Sequence, residues 1–210
     1  MRQTALRKSY RFIFLLLALN ACTAVPVKQT QPGNHAAYQD RAETLAAIPV
    51  WSFVAKISLD DGDQGGSGRL QWMVKPGANE LDFHGAMGRG AWHLKFGPEG
   101  AVLEEANGTV QEAEGVNALI QDRMGWRIPV DALQWWVRGL AAPGSIEDEK
   151  LDSAGLLISL DQFGWHVEFD RYDSIAGVAL PKKLNARRDN YRVKLAIKRW
   201  RMDMSHAATN

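Results

Sequence analysis

The chain has a single cysteine, Cys22, so no disulfide can close any of its loops. The framework that staples many small exported domains is therefore excluded. The nucleophile motif G-x-S-x-G, the phosphate-cradling P-loop and a G-x-G-x-x-G between strand and helix are all missing, and no His/Cys cluster has metal-ligand spacing. These absences argue against an enzyme and against any cofactor or metal. His84 and His93 flank a turn on a polar face and are read as solvated. Glu104-Glu105 and Glu147-Asp148-Glu149 are read as ordinary exposed acids. Long apolar runs are scarce: Phe12–Leu19 is too short for a comfortable bilayer span.

That run has meaning through its flanks. Met1–Arg11 carries Arg2, Arg7, Lys8 and Arg11 and no acid, the pattern of a secretory signal over residues 1–21. It ends in Leu19-Asn20-Ala21-Cys22, which resembles the lipobox of bacterial lipoproteins: a branched apolar residue, a small residue, then cysteine. The resemblance implies cleavage before Cys22, a diacylglycerol on its sulfur and an acyl chain such as palmitate on its amine. Lipidation also gives a use to a thiol that would otherwise stand free in an exported chain. Thr23, where lipoproteins retained at the inner membrane typically carry aspartate, points to the outer membrane. Residues 22–34, with Pro26, Pro32 and Gly33 in a Gln/Thr/Asn background, read as a flexible tether.

The full chain has 25 basic and 24 acidic residues, and loss of the four basic residues of the signal leaves 21 − 24 = −3. A near-neutral mature chain without a general basic character excludes nucleic acid as an evident partner. Residues 35–210 are the size of one ordinary domain.

Asn34 is placed to cap a helix carrying Tyr38, Ala42, Leu45 and Ile48, closed by Pro49. The period then becomes two. Trp51, Phe53, Ala55, Ile57 and Leu59 share one face, and Asp60–Gly68 reads as a turn. Leu70, Trp72 and Val74, then Leu81 and Phe83, then Trp92, Leu94 and Phe96 continue the alternation, with shorter strands at Val102-Leu103 and Thr109–Glu112. Two helices interrupt. One begins near Glu114 with Val116, Leu119 and Ile120; the other starts at Pro129, taken as its first helical residue, carries Val130, Leu133, Trp136, Val137 and Leu140, and ends at Gly139. Strands return with Leu156, Ile158 and Leu160 on one face, then Trp165, Val167 and Phe169, then Tyr191, Val193, Leu195 and Ile197, with Trp200 off the alternation as at a bulge or strand end.

The expected fold is mainly β with short helices, a curled antiparallel sheet with one apolar face. Either the helices fill its concave side as a solid core, or they cover an apolar cavity. The wide inward residues suit a lining: Trp51, Phe53, Trp72, Phe83, Trp92, Leu94, Leu133, Val137, Trp165 and Val167, with Trp135 or Trp136. A basic surface formed by Lys182, Lys183, Arg188 and Arg192, with Arg187, Lys194, Lys198 and Arg199, faces only Asp189 locally. It is read either as a solvated face or as a surface for a partner's acidic rim or lipid head groups.

Several segments together resemble the LolB family of outer-membrane lipoprotein receptors. They are Trp51–Ile57, the G-W-x-x-P-x-x-x-L-x-x-W-x-x-G pattern within Met124–Gly139, Gln162–Phe169 with Tyr172, Leu180-Pro181 with Leu184, and Lys194–Trp200. The resemblance implies an open, incomplete barrel of about eleven strands, with helices over an apolar cavity. It further implies acceptance of lipoproteins from the periplasmic carrier LolA and their insertion into the outer membrane, the protein itself being anchored at the periplasmic face through Cys22. Lipoprotein acyl chains and outer-membrane phospholipid are the implied partners, and a monomer is expected. In the family the loop here formed by Gly85, Met87 and Gly88 projects an apolar residue, usually leucine, toward the membrane; methionine keeps the apolarity. The competing readings are a structural lipoprotein packed on an outer-membrane partner and a lipid-responsive sensor.

Overall fold

The computed structural model describes residues 33–86 and 90–203. Helix α1, His35–Ala46, starts where Asn34 accepts a hydrogen bond from the Ala37 amide at 3.0 Å, the N-cap expected from the sequence. A meander follows: β1 (Trp51–Asp60), β2 (Gly65–Lys75), β3 (Ala78–Gly85), β4 (Trp92–Gly97), β5 (Gly100–Glu105) and β6 (Val110–Ala113). Helices α2 (Val116–Met124) and α3 (Val130–Trp136) come next. The chain then returns through β7 (Asp148–Leu151), β8 (Leu157–Gln162), β9 (Trp165–Ile175), β10 (Val178–Arg188) and β11 (Tyr191–Met202).

All eleven strands form one antiparallel sheet in the order β6-β5-β4-β3-β2-β1-β11-β10-β9-β8-β7. Strands paired in space are consecutive in sequence except at one seam, where β1 pairs with β11 and joins the two arms. The edges β6 and β7 are the strands on either side of the helical segment in sequence. The sheet is therefore open, and the helices span the interval between its edges. Alternation holds where it was read: Trp51, Phe53, Ala55, Ile57 and Leu59 are buried along β1, and Trp165, Val167 and Phe169 along β9. On the other face of the sheet, His93 Nδ1 lies 2.7 Å from Asp82 Oδ1, its partner across β3 and β4, while His84 is exposed.

The sequence reading gave no strand at β7, whose acids it took as merely exposed, or at β10, and four further details differ from it or sharpen it. Gly65–Gly68 belongs to β2 and not to the turn, because Gly65 pairs with Asp60 and the turn tightens to Asp61–Gln64. In β8 the inward residues are Leu157 and Leu160, while Ile158 is 49% exposed. Lys150 pairs with Ser159 and Leu151 with Leu157, so Ile158 is an extra residue bulged outward, which resets the alternation. Lys198 plays the same part in β11, since Val54 pairs with Arg199 and Ala55 with Ile197; this brings Trp200 back to the core. Finally, Pro129 is the N-cap of α3 and not its first helical residue.

Gly139 does end α3, at φ 72°. Its amide donates to Trp136 O at 2.8 Å and the Leu140 amide to Trp135 O at 3.2 Å, the paired bonds of a Schellman closure, which requires left-handed backbone at this position. Gly68 has a different reason: a Cβ there would lie 2.4 Å from His84 O and 2.6 Å from the Phe83 ring. Glycine lets Phe83 lie over β2 and stack on Trp92, centroids 5.1 Å apart. Gly68→Ala is expected to destabilise the domain by about 1–3 kcal/mol by overpacking, read as a lower urea midpoint; an unchanged midpoint would show that the Phe83 ring moves freely.

Candidate functional site

The apolar face of β1–β4 and the inner sides of α2, α3 and their connecting loop enclose a space of about 40 Å³. Its walls carry only apolar side chains: Ile57, Leu59, Leu70, Trp72, Leu81, Trp92 and Leu94 from the strands, with Ile120, Trp126, Ile128, Val130 and Leu133 from the helical segment. This volume holds at most a few water-sized groups, whereas pockets for small ligands run to about 300–1,000 Å³. The helices are seated on the sheet and leave only a narrow gap.

Of the residues read from sequence as a lining, Trp72, Trp92, Leu94 and Leu133 surround this space. Trp51, Phe53, Phe83, Trp136, Val137, Trp165 and Val167 do not. They are core: Phe53 and Trp51 lie within 6.3 Å of Trp72 and 5.9 Å of Trp200, centroid to centroid. Trp136 packs on Trp165 at 6.4 Å, and Val137 and Val167 have no exposed surface. The choice between the adjacent tryptophans is settled against both: Trp136 points into the core and Trp135 lines pockets outside α3. The physical reason is the width of the sheet. Eleven strands present more apolar face than two short helices cover with a gap, so most of it closes by direct packing.

Polar clips hold one end of the cover. Gln162, fully buried, accepts from Trp136 Nε1 and from the Ala142 amide, each at 2.9 Å, and its Nε2 donates to Ala142 O at 2.7 Å. Arg41 Nη1 donates to Arg138 O at 2.9 Å and to Ala179 O at 3.2 Å, and Nη2 donates to Gly139 O. Its guanidinium lies 5.9 Å from the Tyr38 ring and 5.8 Å from that of Tyr172. Tyr38 Oη accepts from the Ala141 amide at 2.9 Å. Burial pushes the phenols of Tyr38 and Tyr172 up and the guanidinium of Arg41 down. The end of α3 is thus bolted to α1, β8 and β10.

The other end is held differently. Asn117 Oδ1 accepts from the Val130 amide at 2.8 Å and its Nδ2 donates to Asp131 at 2.9 Å, bonds that join α2 to α3 but neither to the sheet. Asp131 titrates above the ordinary carboxylate range because of burial, against which the Asn117 bond works. The ion pair of α2 with the sheet is Arg123 to Glu105, 3.7 Å and exposed. Contact between α2, the 125–129 loop and the sheet otherwise rests on apolar burial.

Sequence reasoning assigned no structural role to Arg41, Gln162, Trp126 or Ile128, although Gln162 and Trp126 lie in the segments that carry the family resemblance. A lone arginine on a mostly polar helix carries no periodic signal, and the loop residues belong to no repeat. Gly85 ends β3, and Met87, Gly88 and Cys22 lie outside the described residues. The basic surface is corrected. It does not face Asp189 alone, because β9 supplies acids: Lys182 bonds Asp173 at 2.6 Å, Lys183 bonds Asp170 at 2.9 Å, and Arg187 lies 3.5 Å from Glu168. The bond to Lys183 holds the Asp170 carboxyl below its usual range. Arg188 lies 3.8 Å from Asp189, and Arg192 makes no ion pair among the described residues. Cross-strand pairing thus neutralises much of a surface that looked basic along the chain alone.

The family profile described as "Outer membrane lipoprotein LolB" matches residues 49–200. The chain belongs to the LolB family. It is 35% identical over 188 residues to the "Outer-membrane lipoprotein LolB" of Stutzerimonas stutzeri, covering 89% of this chain and 91% of that one. The protein of the same name from Pseudomonas putida strain GB-1 is 36% identical over 190 residues, covering 89% and 93%. Among solved structures, a LolA superfamily protein from Nitrosomonas europaea aligns at 10% identity with a TM-score of 0.47, covering 79% of this chain and 93% of that chain. The LolB profile spans β1 through Trp200, so it includes the sheet seam, the apolar space and the Gln162 clip on α3, while Arg41 and Tyr38 precede it.

Proposed function

We propose that this LolB-family protein is anchored at the periplasmic face of the outer membrane, takes lipoproteins from a LolA-type carrier and releases them into the bilayer. The observation that supports this reading is the wholly apolar space under a cover bolted at one end. A long acyl chain carries roughly 10 kcal/mol of aversion to water, at about 0.8 kcal/mol per methylene. No bond need be made or broken; the cargo needs an apolar path that stays downhill toward the membrane. The narrow space is too small for such a chain, so uptake opens the α2 end of the cover, where among the described residues only apolar contacts and one exposed ion pair resist, about the Gln162 and Arg41 clips. Trp72, Trp92, Leu94 and Leu133 meet the chain first, and it displaces the cover from the sheet. The protein acts as a monomer.

The test is transfer. A version beginning at Thr23 is mixed with a LolA-type carrier loaded with a lipoprotein, and cargo is followed by its passage to the new protein. Cargo that stays on the carrier while a fluorescent fatty acid also fails to bind would remove the proposal and leave the structural-lipoprotein reading.

Met87 carries a separate expectation from its place between β3 and β4. Burying one such side chain contributes at most about 2 kcal/mol, too little to anchor the protein but enough to orient it on lipid. Met87→Glu is expected to accept cargo normally and to slow delivery to liposomes several-fold, with Met87→Leu unaffected. Equal delivery by all three proteins would make the tip an ordinary turn.

A further inference from the structure

The residue that the acyl site leaves unexplained is Arg138. Its side chain is 9% exposed, with Cζ 4.8 Å from the Trp135 ring centroid and 5.2 Å from that of Trp51. Nε donates to Gln134 O at 3.3 Å, and neither Nη has a hydrogen-bond or ion-pair partner among the described residues. Burial, and secondarily the positive Arg41, brings its pKa down to about 10, so at neutral pH it still carries its charge. Two aromatic faces compensate the flat sides of a guanidinium, but its edge still calls for an acceptor.

That edge belongs to an open pocket of about 360 Å³, separate from the apolar space. Lys75 and Asn79 also line it, with Ile48, Pro49 and Val74 as apolar walls. Asn79 Oδ1 is engaged by Trp72 Nε1 at 3.1 Å, which leaves its Nδ2 as a donor. Among the described residues Lys75 is held only by Glu80, at 3.9 Å and in solvent, a contact of little strength. The pocket lies at the Trp51–Val74 end of β1 and β2, whereas β3 reaches the Gly85 loop at the Gly68 end of β2. The pocket and the Gly85 end of β3 are thus at opposite ends of the strands.

We infer that Arg138 and Asn79, with Lys75 at the rim of the pocket, form a binding site for a phosphate ester whose alkyl or glycerol part lies against Ile48, Pro49 and Val74. A phosphate fits better than a carboxylate because it offers more oxygens to the two Nη groups of Arg138, unpartnered among the described residues, and to Asn79 Nδ2. The inference does not depend on the cover opening. A phospholipid head group and a free phosphate share this chemistry.

The test uses the mature lipidated protein in a maltoside detergent, titrated calorimetrically with dihexanoylphosphatidylglycerol below its micellar concentration, with glycerol 3-phosphate and with inorganic phosphate. Saturable binding of the lipid is expected, weakened about ten-fold or more by Arg138→Gln and several-fold by Lys75→Ala, with fatty-acid uptake unchanged in Lys75→Ala. Equal affinity for glycerol 3-phosphate or inorganic phosphate would keep the site and assign it to soluble phosphate. Should Arg138→Gln lose its circular-dichroism signature of folding, Lys75→Glu, on an exposed side chain, decides the matter by abolishing binding. No saturable binding of any phosphate probe, binding of only a glutamate-bearing peptide, or affinities unchanged in the variants would each overturn the inference.

Discussion

Gln162→Leu lowers the unfolding free energy by about 3–5 kcal/mol. Three groups lose their partner in that variant: the Trp136 indole N–H, the Ala142 amide and the Ala142 carbonyl, bonded in the native protein at 2.9, 2.9 and 2.7 Å. Trp136 and Ala142 are buried, at 1% and 6% exposure, so water does not replace what is lost. Each buried unsatisfied group costs about 1–3 kcal/mol, and the gain from an apolar side chain offsets only part of the sum. Gln162→Glu, which keeps an acceptor for both donors, is expected to be destabilised too, because it buries a carboxyl and places its oxygen against Ala142 O. Urea melts followed by tryptophan fluorescence measure both variants. A loss under about 1 kcal/mol for Gln162→Leu would mean that the segment after α3 rearranges to satisfy itself and is no bolt.

Cys22→Ala is expected to abolish stable attachment to the membrane while leaving the domain's melting temperature unchanged. A single acyl chain gives only marginal, reversible binding, and the several chains implied by the lipobox multiply that affinity beyond practical reversal. The variant loses all of them at once. The folded domain does not depend on them, since its first helix is capped by Asn34 and its core begins on α1. Fractionation and mass spectrometry read the outcome: protein in the soluble fraction without acyl mass is expected, and retention of the variant in the membrane fraction would place the anchor elsewhere.

The strands were legible because their inward residues are large and their period is two. The chain from Trp51 to Leu59 can bury its aromatic and aliphatic side chains together only as a strand with that face inward, and the buried set matches. The same reasoning failed at Leu156–Leu160. Three adjacent aliphatic residues admit two alternations, and the inserted Ile158 is visible only in the pairing of β8 with β7. The basic surface failed for the same reason. Lys182 and Lys183 are distant along the chain from Asp173 and Asp170, and cross-strand registry brings them together.

By itself the sequence determined most of the succession of strands and helices, though not β7 or β10, and the buried face of the long strands it read, since these follow from local composition and period. Whether the aromatic face is filled or hollow was decided by the tertiary structure. That outcome depends on how closely α2 and α3 approach β1–β4, which is set by contacts distant in sequence: Gln162 on Trp136 and Ala142, and Arg41 on the carbonyls of Arg138 and Gly139. These bonds seat the end of α3 and bury Trp51, Phe53 and Trp165 as core, leaving a narrow space beside Trp72, Trp92, Leu94 and Leu133. They also bring Trp51 and Trp135 to either side of Arg138, a juxtaposition that no spacing along the chain announces.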